Sequence, residues 1–146
     1  MPYEYPQGRR VNVLAAYEPY AAEPWLGWRA FERTLTSDDL LAYLRSLPAV
    51  DVPRVVVLDN ASIHISKAFK GQRRALSRQG VYLSYLPAYS PELNAIEPVF
   101  KQVKHHEIPR RSHTSKEELR DSVEQGFGAY AGKLRTKCDT RLRPAA

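Results

Sequence analysis

LPAYSPELNAIEPVFKQVK, residues 86–104, is the stretch whose reading decides the fold. It leaves a short apolar run, residues 81–86, with the length and composition of a buried strand. Pro87 ends that run, and a loop with Tyr89, Ser90 and Pro91 follows. A helix is then expected from about Asn94, burying Ile96, Phe100 and Val103 and carrying Glu97 near its start. Pro98 is close enough to that start to be tolerated, but the first turn should be irregular. A second apolar run stops as abruptly: Val55, Val56, Val57 and Leu58 lead straight into Asp59 and Asn60. Its β-branched residues do not alternate with polar ones, as expected of a strand covered on both faces.

Between these strands, residues 66–79 read as one helix stopped by Gly80. Strand, helix, strand in that order implies a right-handed parallel crossover. Ligands of such sheets gather at the carboxyl ends of the strands. Asp59 stands at one such end, and the loop after Leu86 leaves from the neighbouring one.

Upstream, residues 10–17 have Val11, Val13 and Ala15 at period two, and residues 25–35 are rich in aromatics and threonine. The turn between them holds Pro19 and Pro24, so the two read as an antiparallel hairpin. Thr36 followed by Asp38 and Asp39 is a helix start. Leu40, Leu44 and Leu47 share one face of that helix before Pro48 stops it. Downstream, Ser115 and Glu118 form a capping box for a last helix along Leu119, Val123, Phe127, Tyr130 and Leu134. Gly126, Gly128 and Gly132 weaken it. The expected layout is mixed α/β in a single domain over residues 1–146, with residues 137–146 as a frayed basic tail.

The bulk numbers bound the function. A chain of 146 residues with 43% hydrophobic and 26% charged content suits one core of ordinary composition. No apolar run approaches the ~18 residues of a membrane span. The N-terminal MPYEYPQGRR lacks the pattern of a secretory signal. A single cysteine, Cys138, excludes an internal disulfide and fits a reducing, cytoplasmic setting. The net charge is +6, of which +5 falls between Lys101 and Arg143, where eleven Lys and Arg face six acids. A flank of that sign points to a polyanion partner, most simply nucleic acid, against the plain reading of a solvated basic surface.

Asp59 and Glu97 are the candidate site. A phosphodiester repels nucleophiles, and divalent ions overcome this by activating the attacking oxygen and stabilising the leaving one. Magnesium takes hard oxygen ligands, and proteins commonly supply one or two carboxylates. A strand end holds one acid, and a helix projects the other. On a regular helix Lys101 and Lys104 lie on the same side as Glu97, a line suited to a phosphate backbone. Taken alone, the Glu97–Lys101 spacing reads more readily as a surface pair worth about 0.3 kcal/mol.

Two motifs in order, LDNASIHISK (58–67) and LPAYSPELNAIEPVFKQVK (86–104), resemble the DDE transposases of the Tc/mariner-like and related bacterial insertion-sequence group. The resemblance covers roughly residues 9–130 and is strongest over 54–104. It places Asp59 and Glu97, 38 positions apart, at the second and third catalytic carboxylates of that family. It implies a ribonuclease H-like mixed sheet with flanking helices, Mg2+ or Mn2+, and cleavage and joining of DNA strands.

The family's first carboxylate lies on a central strand before the hairpin. Here the lead-in shows no apolar strand with an Asp, and Glu4 and Glu18 are poor substitutes. The expectation is a catalytic domain lacking its first strand, incomplete on its own, that pairs with itself or with an upstream transposase half, near the nucleoid if bacterial. The alternative is a non-catalytic nucleic-acid-binding or oligomerising remnant of the same fold.

The remaining candidates are assigned as follows. Lys101, Lys104, Arg110 and Arg111 are expected on phosphates. His64 is a candidate for a phosphate contact or for orienting a metal-bound water, against an ordinary loop histidine bonded to backbone. Asn60, Ser90 and Asn94 are expected to support the two loops, Ser90 as a helix cap rather than a nucleophile. His105, His106 and His113 do not have the spacing of a closed zinc site. Trp25 and Trp28 are expected to pack the hairpin.

Overall fold

The computed structural model describes residues 10–109 and 113–142. The hairpin forms from β1 (Asn12–Glu18) and β2 (Trp25–Phe31), antiparallel from Asn12 opposite Phe31 to Glu18 opposite Trp25. β2 therefore stops short of residue 35. Asn12 is the first residue of β1 and stands opposite Phe31, so the ladder ends there among the described residues. The Asn12 side-chain amide closes this end by donating to the Arg33 carbonyl at 2.9 Å.

The chain forms two compact units, one containing the hairpin and the chain from Pro98 onward, the other spanning Leu35–Glu97. Among the described residues, four strands make two two-stranded sheets, β1–β2 and β3–β4, where one mixed sheet was expected. Among the described residues no further strand pairs with either.

In the first unit, α6 (Lys116–Leu142) packs on the hairpin. Trp28 stacks on Phe127 with ring centroids 5.9 Å apart, and its indole N–H donates to Glu124 Oε2 at 2.7 Å. Phe100 meets the same Phe127 edge-on at 5.8 Å. Such aromatic contacts add to simple area burial. Leu14, Leu26, Ala30, Val99, Val103, Val123, Ala131 and Leu134 complete the buried set. Ser115 Oγ accepts from the Glu118 N–H at 3.1 Å, while Glu118 reaches back to Thr114, so the cap acts one residue earlier than a simple capping box. The helix continues to Leu142, past the start expected for a frayed tail.

The glycines of α6 do more than weaken it. A Cβ at Gly126 would lie 2.9 Å from Ile108 Cγ1 and 3.2 Å from Val103 Cγ1. Glycine there lets the turn at Val103–Glu107 press against α6. At Gly132 a Cβ would meet nothing within 4 Å.

In the second unit, Thr36 caps α1 (Ser37–Ser46) through a reciprocal box with Asp39. Strands β3 (Arg54–Leu58) and β4 (Val81–Tyr85) pair in parallel, from Arg54 opposite Val81 to Leu58 opposite Tyr85. The crossover between them is three short helices rather than one: α2 (Ser62–Ile65), α3 (Lys67–Lys70) and α4 (Arg73–Arg78). Ser66 adopts an extended backbone (φ −59°, ψ 148°), which ends α2, and its hydroxyl accepts from the Phe69 N–H to start α3. Local side-chain bonding of this kind competes with helix continuation. Gly80, at φ 79°, takes the left-handed conformation that closes α4.

Leu58 and Leu83 are buried with Phe69, Leu76, Leu40, Tyr43 and Leu44. The other face of the sheet differs from expectation. Val55 is 62% exposed and Val57 55%, beside an exposed Tyr82. The β-branched run is therefore covered on one side only, and the pleat sends alternate residues to solvent.

Gly126→Val should destabilise the chain by about 1–3 kcal/mol, because the added methyls overlap Ile108 and Val103. Gly132→Ala should stabilise it by up to about 1 kcal/mol, from helix propensity in open space. Urea unfolding midpoints of the two variants, moving in opposite directions, check both.

Candidate two-carboxylate site

Both candidate carboxylates lie in the second unit, on segments that leave the carboxyl end of the β3–β4 pair. The parallel ladder extends one step past the strands: the Leu86 N–H donates to the Leu58 carbonyl at 2.8 Å. Asp59 and Pro87 therefore follow a shared anchoring bond. Asn60 adds a cross-tie, its side-chain amide donating to the Leu86 carbonyl at 3.0 Å. The two loops are thus bound to each other at their roots.

Asp59 is held by its own loop. Its Oδ1 accepts from the Ala61 N–H at 3.0 Å and contacts His64 Nδ1 at 2.7 Å. The same Nδ1 lies 3.2 Å from the Asp59 carbonyl. His64 sits on the short helix α2, whose first turn is closed by bonds from the His64 and Ile65 N–H groups to the Ala61 carbonyl. The Tyr85 hydroxyl, at the end of β4, donates to the His64 carbonyl. Burial raises the pKa of that phenol above its ordinary value, with Arg73 nearby acting the other way. Tyr85 therefore stays a neutral donor through the physiological range.

Glu97 is the first residue of α5 (Glu97–Gln102) and is exposed. The helix does not start at Asn94. A 3₁₀ turn, Pro91–Leu93, comes first, and Asn94 joins the two by accepting from the Glu97 N–H at 3.1 Å and donating its own N–H to Pro91. Pro98 has no N–H to lose from the first turn, so α5 begins where proline is tolerated. Asn94 is buried, and its bonds here are made by its backbone rather than its side chain. Ser90 does not act as a side-chain cap; its hydroxyl reaches the Ala88 carbonyl instead, at 3.4 Å. Tyr89, at φ 57° and fully exposed, marks the sharp bend of this loop.

The regular period that put Lys104 in line with Glu97 stops at Gln102. Residues Val103–Glu107 form a π turn, closed by the Ile108 N–H on the Val103 carbonyl at 3.0 Å. The wider turn interrupts the regular helical period on which that line was drawn. The packing at Gly126 accounts for it, with Glu107 pinned by Lys133. Lys101, Lys104, His105 and His106 are exposed. Arg110 and Arg111 lie outside the described residues, as does Glu4. His113 bonds Ser122 through Nε2 at 2.9 Å.

The contact between His64 and Asp59 was not legible in sequence, beyond the spacing of five positions. It depends on the short helix turning back over the strand end. Among the described residues no three His, Cys, Asp or Glu side chains gather into a ready-made metal cage. Asp59, with one carboxylate oxygen unbonded among the described residues, offers the hard oxygen donor that a divalent ion takes from a protein.

Asn60→Ala removes the cross-tie between the loops and should cost about 0.5–1.5 kcal/mol of stability. Chemical denaturation measures that loss. Amide exchange should quicken at Leu86 and its neighbours more than in the first unit.

No curated protein matches the chain significantly. The family model described as DDE superfamily endonuclease matches residues 2–120. That span holds both strand-end motifs and the turn that carries Lys104, and on it the chain belongs to the DDE superfamily endonuclease family.

Proposed function

We propose that this chain contributes Asp59 and Glu97 as metal-ligating carboxylates to a transposase site that cuts and joins DNA strands. The observation that carries the reading is the cross-tied pair of strand exits, with an acid on each emerging segment, inside a chain of the DDE endonuclease family. The Tc/mariner-like and bacterial insertion-sequence group is the subgroup whose motifs these residues resemble. Bound Mg2+ or Mn2+ would supply Lewis-acid stabilisation of the reacting phosphoryl oxygens. The chain's own part is to present Asp59 from a rigid strand end and Glu97 from the head of α5. Lys101 and Lys104, with Arg110 and Arg111, hold the phosphate backbone by charge.

The pair is part of the site rather than all of it. The absence of a third ligand beside them, among the described residues, supports this. The partner that completes it is a second copy or an upstream transposase half. The same observation favours one other reading, a nucleic-acid-binding or oligomerising module that kept the fold and not the chemistry. Metal titration separates the two. Mn2+ binding that is lost in both Asp59→Ala and Glu97→Ala supports the metal reading, and DNA binding indifferent to metal supports the module.

Two outcomes are expected. Supercoiled plasmid incubated with the chain and Mn2+ should show little nicking; robust nicking abolished by Asp59→Ala would mean the site is complete. DNA affinity should fall steeply with salt, and Lys101→Ala should lower the slope of log K against log salt by about 0.9 if that residue covers one phosphate.

A further inference from the structure

His64 is bonded to Asp59 in a way that sets both the ring and the carboxylate. Its Nδ1 faces two oxygens, the Asp59 carbonyl at 3.2 Å and Oδ1 at 2.7 Å. A carbonyl and a carboxylate only accept hydrogen bonds, so Nδ1 must carry the proton, whatever the charge of the ring. In the neutral ring that leaves Nε2 without a hydrogen.

The consequence for Asp59 is equally specific. Oδ1 takes both donors, the Ala61 N–H and the imidazole, and no bond among the described residues reaches Oδ2. Two donors on one oxygen lock the carboxylate's rotation about its last bond. The imidazole itself is well fixed: the His64 side chain is only 17% exposed, against 40% for Asp59, and its backbone is tied to Ala61 and Tyr85.

We propose that His64 is a positioning residue, whose Nδ1–H holds Asp59 Oδ1 so that Oδ2 is the oxygen offered to a divalent cation. This rests on the metal reading of Asp59 above. It is an alternative to the phosphate contact expected of His64, drawn from the bond that commits Nδ1 to Asp59. Groups that orient a metal-ligating side chain typically change metal affinity about 10–100-fold when removed.

The test uses the full chain and three variants, His64→Ala, His64→Asn and Asp59→Asn. Asparagine carries an amide nitrogen at the position of Nδ1 and nothing at that of Nε2. Mn2+ affinity, read by electron paramagnetic resonance, should fall about 10-fold or more in His64→Ala and stay near wild type in His64→Asn. Long-range nitrogen–proton spectra of histidine-labelled chain at pH 8 should show the His64 ring protonated on Nδ1, a signature that Asp59→Asn weakens or removes.

The failures are separable. Unchanged Mn2+ affinity in His64→Ala, with binding lost in Asp59→Asn, overturns the positioning role and leaves the metal site standing. Equal losses in His64→Ala and His64→Asn overturn it in favour of a role for Nε2, a phosphate contact included. Equal Mn2+ binding by wild type and Asp59→Asn overturns the metal reading together with the cation part of this role. A ring protonated on Nε2 in the wild type overturns the hydrogen bond itself, whatever the metal does.

Discussion

One hydrogen bond beyond the end of a two-stranded ladder organises the candidate site. The Leu86 N–H on the Leu58 carbonyl extends the parallel pairing past the strands, and the Asn60 amide on the Leu86 carbonyl repeats the tie from the side chain. Without them, Asp59 would begin a free loop and the segment leading to Glu97 another. Loops are ordinarily the more mobile part of a fold, and residues on them act precisely only when a rigid scaffold positions them. Here the scaffold is small, and the anchoring comes from bonds between the loops as well as from the strands beneath.

The same economy marks Asp59 itself. A carboxylate at a strand end has four acceptor positions and competes with water for all of them. Two are taken by donors within five residues of it, one from the backbone of Ala61 and one from His64. The short α2 lies ahead of the helix expected over residues 66–79; Ser66 ends it, and His64 on it bonds back to the strand end. The basic residues after Glu97 depend on a different constraint. Gly126 admits the π turn that carries Lys104 against α6.

Much of this could be read from the chain alone, because it depends on neighbours in sequence. The hairpin is written in period-two apolar residues, α1 in Thr36 and Asp39, the parallel pair in two short apolar runs separated by a helical segment. Asp59 and Glu97 could be singled out because each stands where an apolar run gives way to a polar loop or helix start, in motifs that resemble a known family. Chemistry of that kind is local, and residue type and spacing are enough to mark it.

What the sequence could not specify is whatever depends on distant segments meeting. Val55 and Val57 read as covered on both faces, since a β-branched run looks the same whether one layer or two packs on it; only tertiary packing decided that one face is open. Two sheets rather than one, a π turn after Gln102, and Asn60 reaching residue 86 were decided in the same way. The sequence was enough to mark Asp59 and Glu97 as candidates. The direction in which Asp59 offers its oxygens was decided only when strand, loop and helix closed around it, because a hydrogen bond has a geometry that residue spacing does not contain.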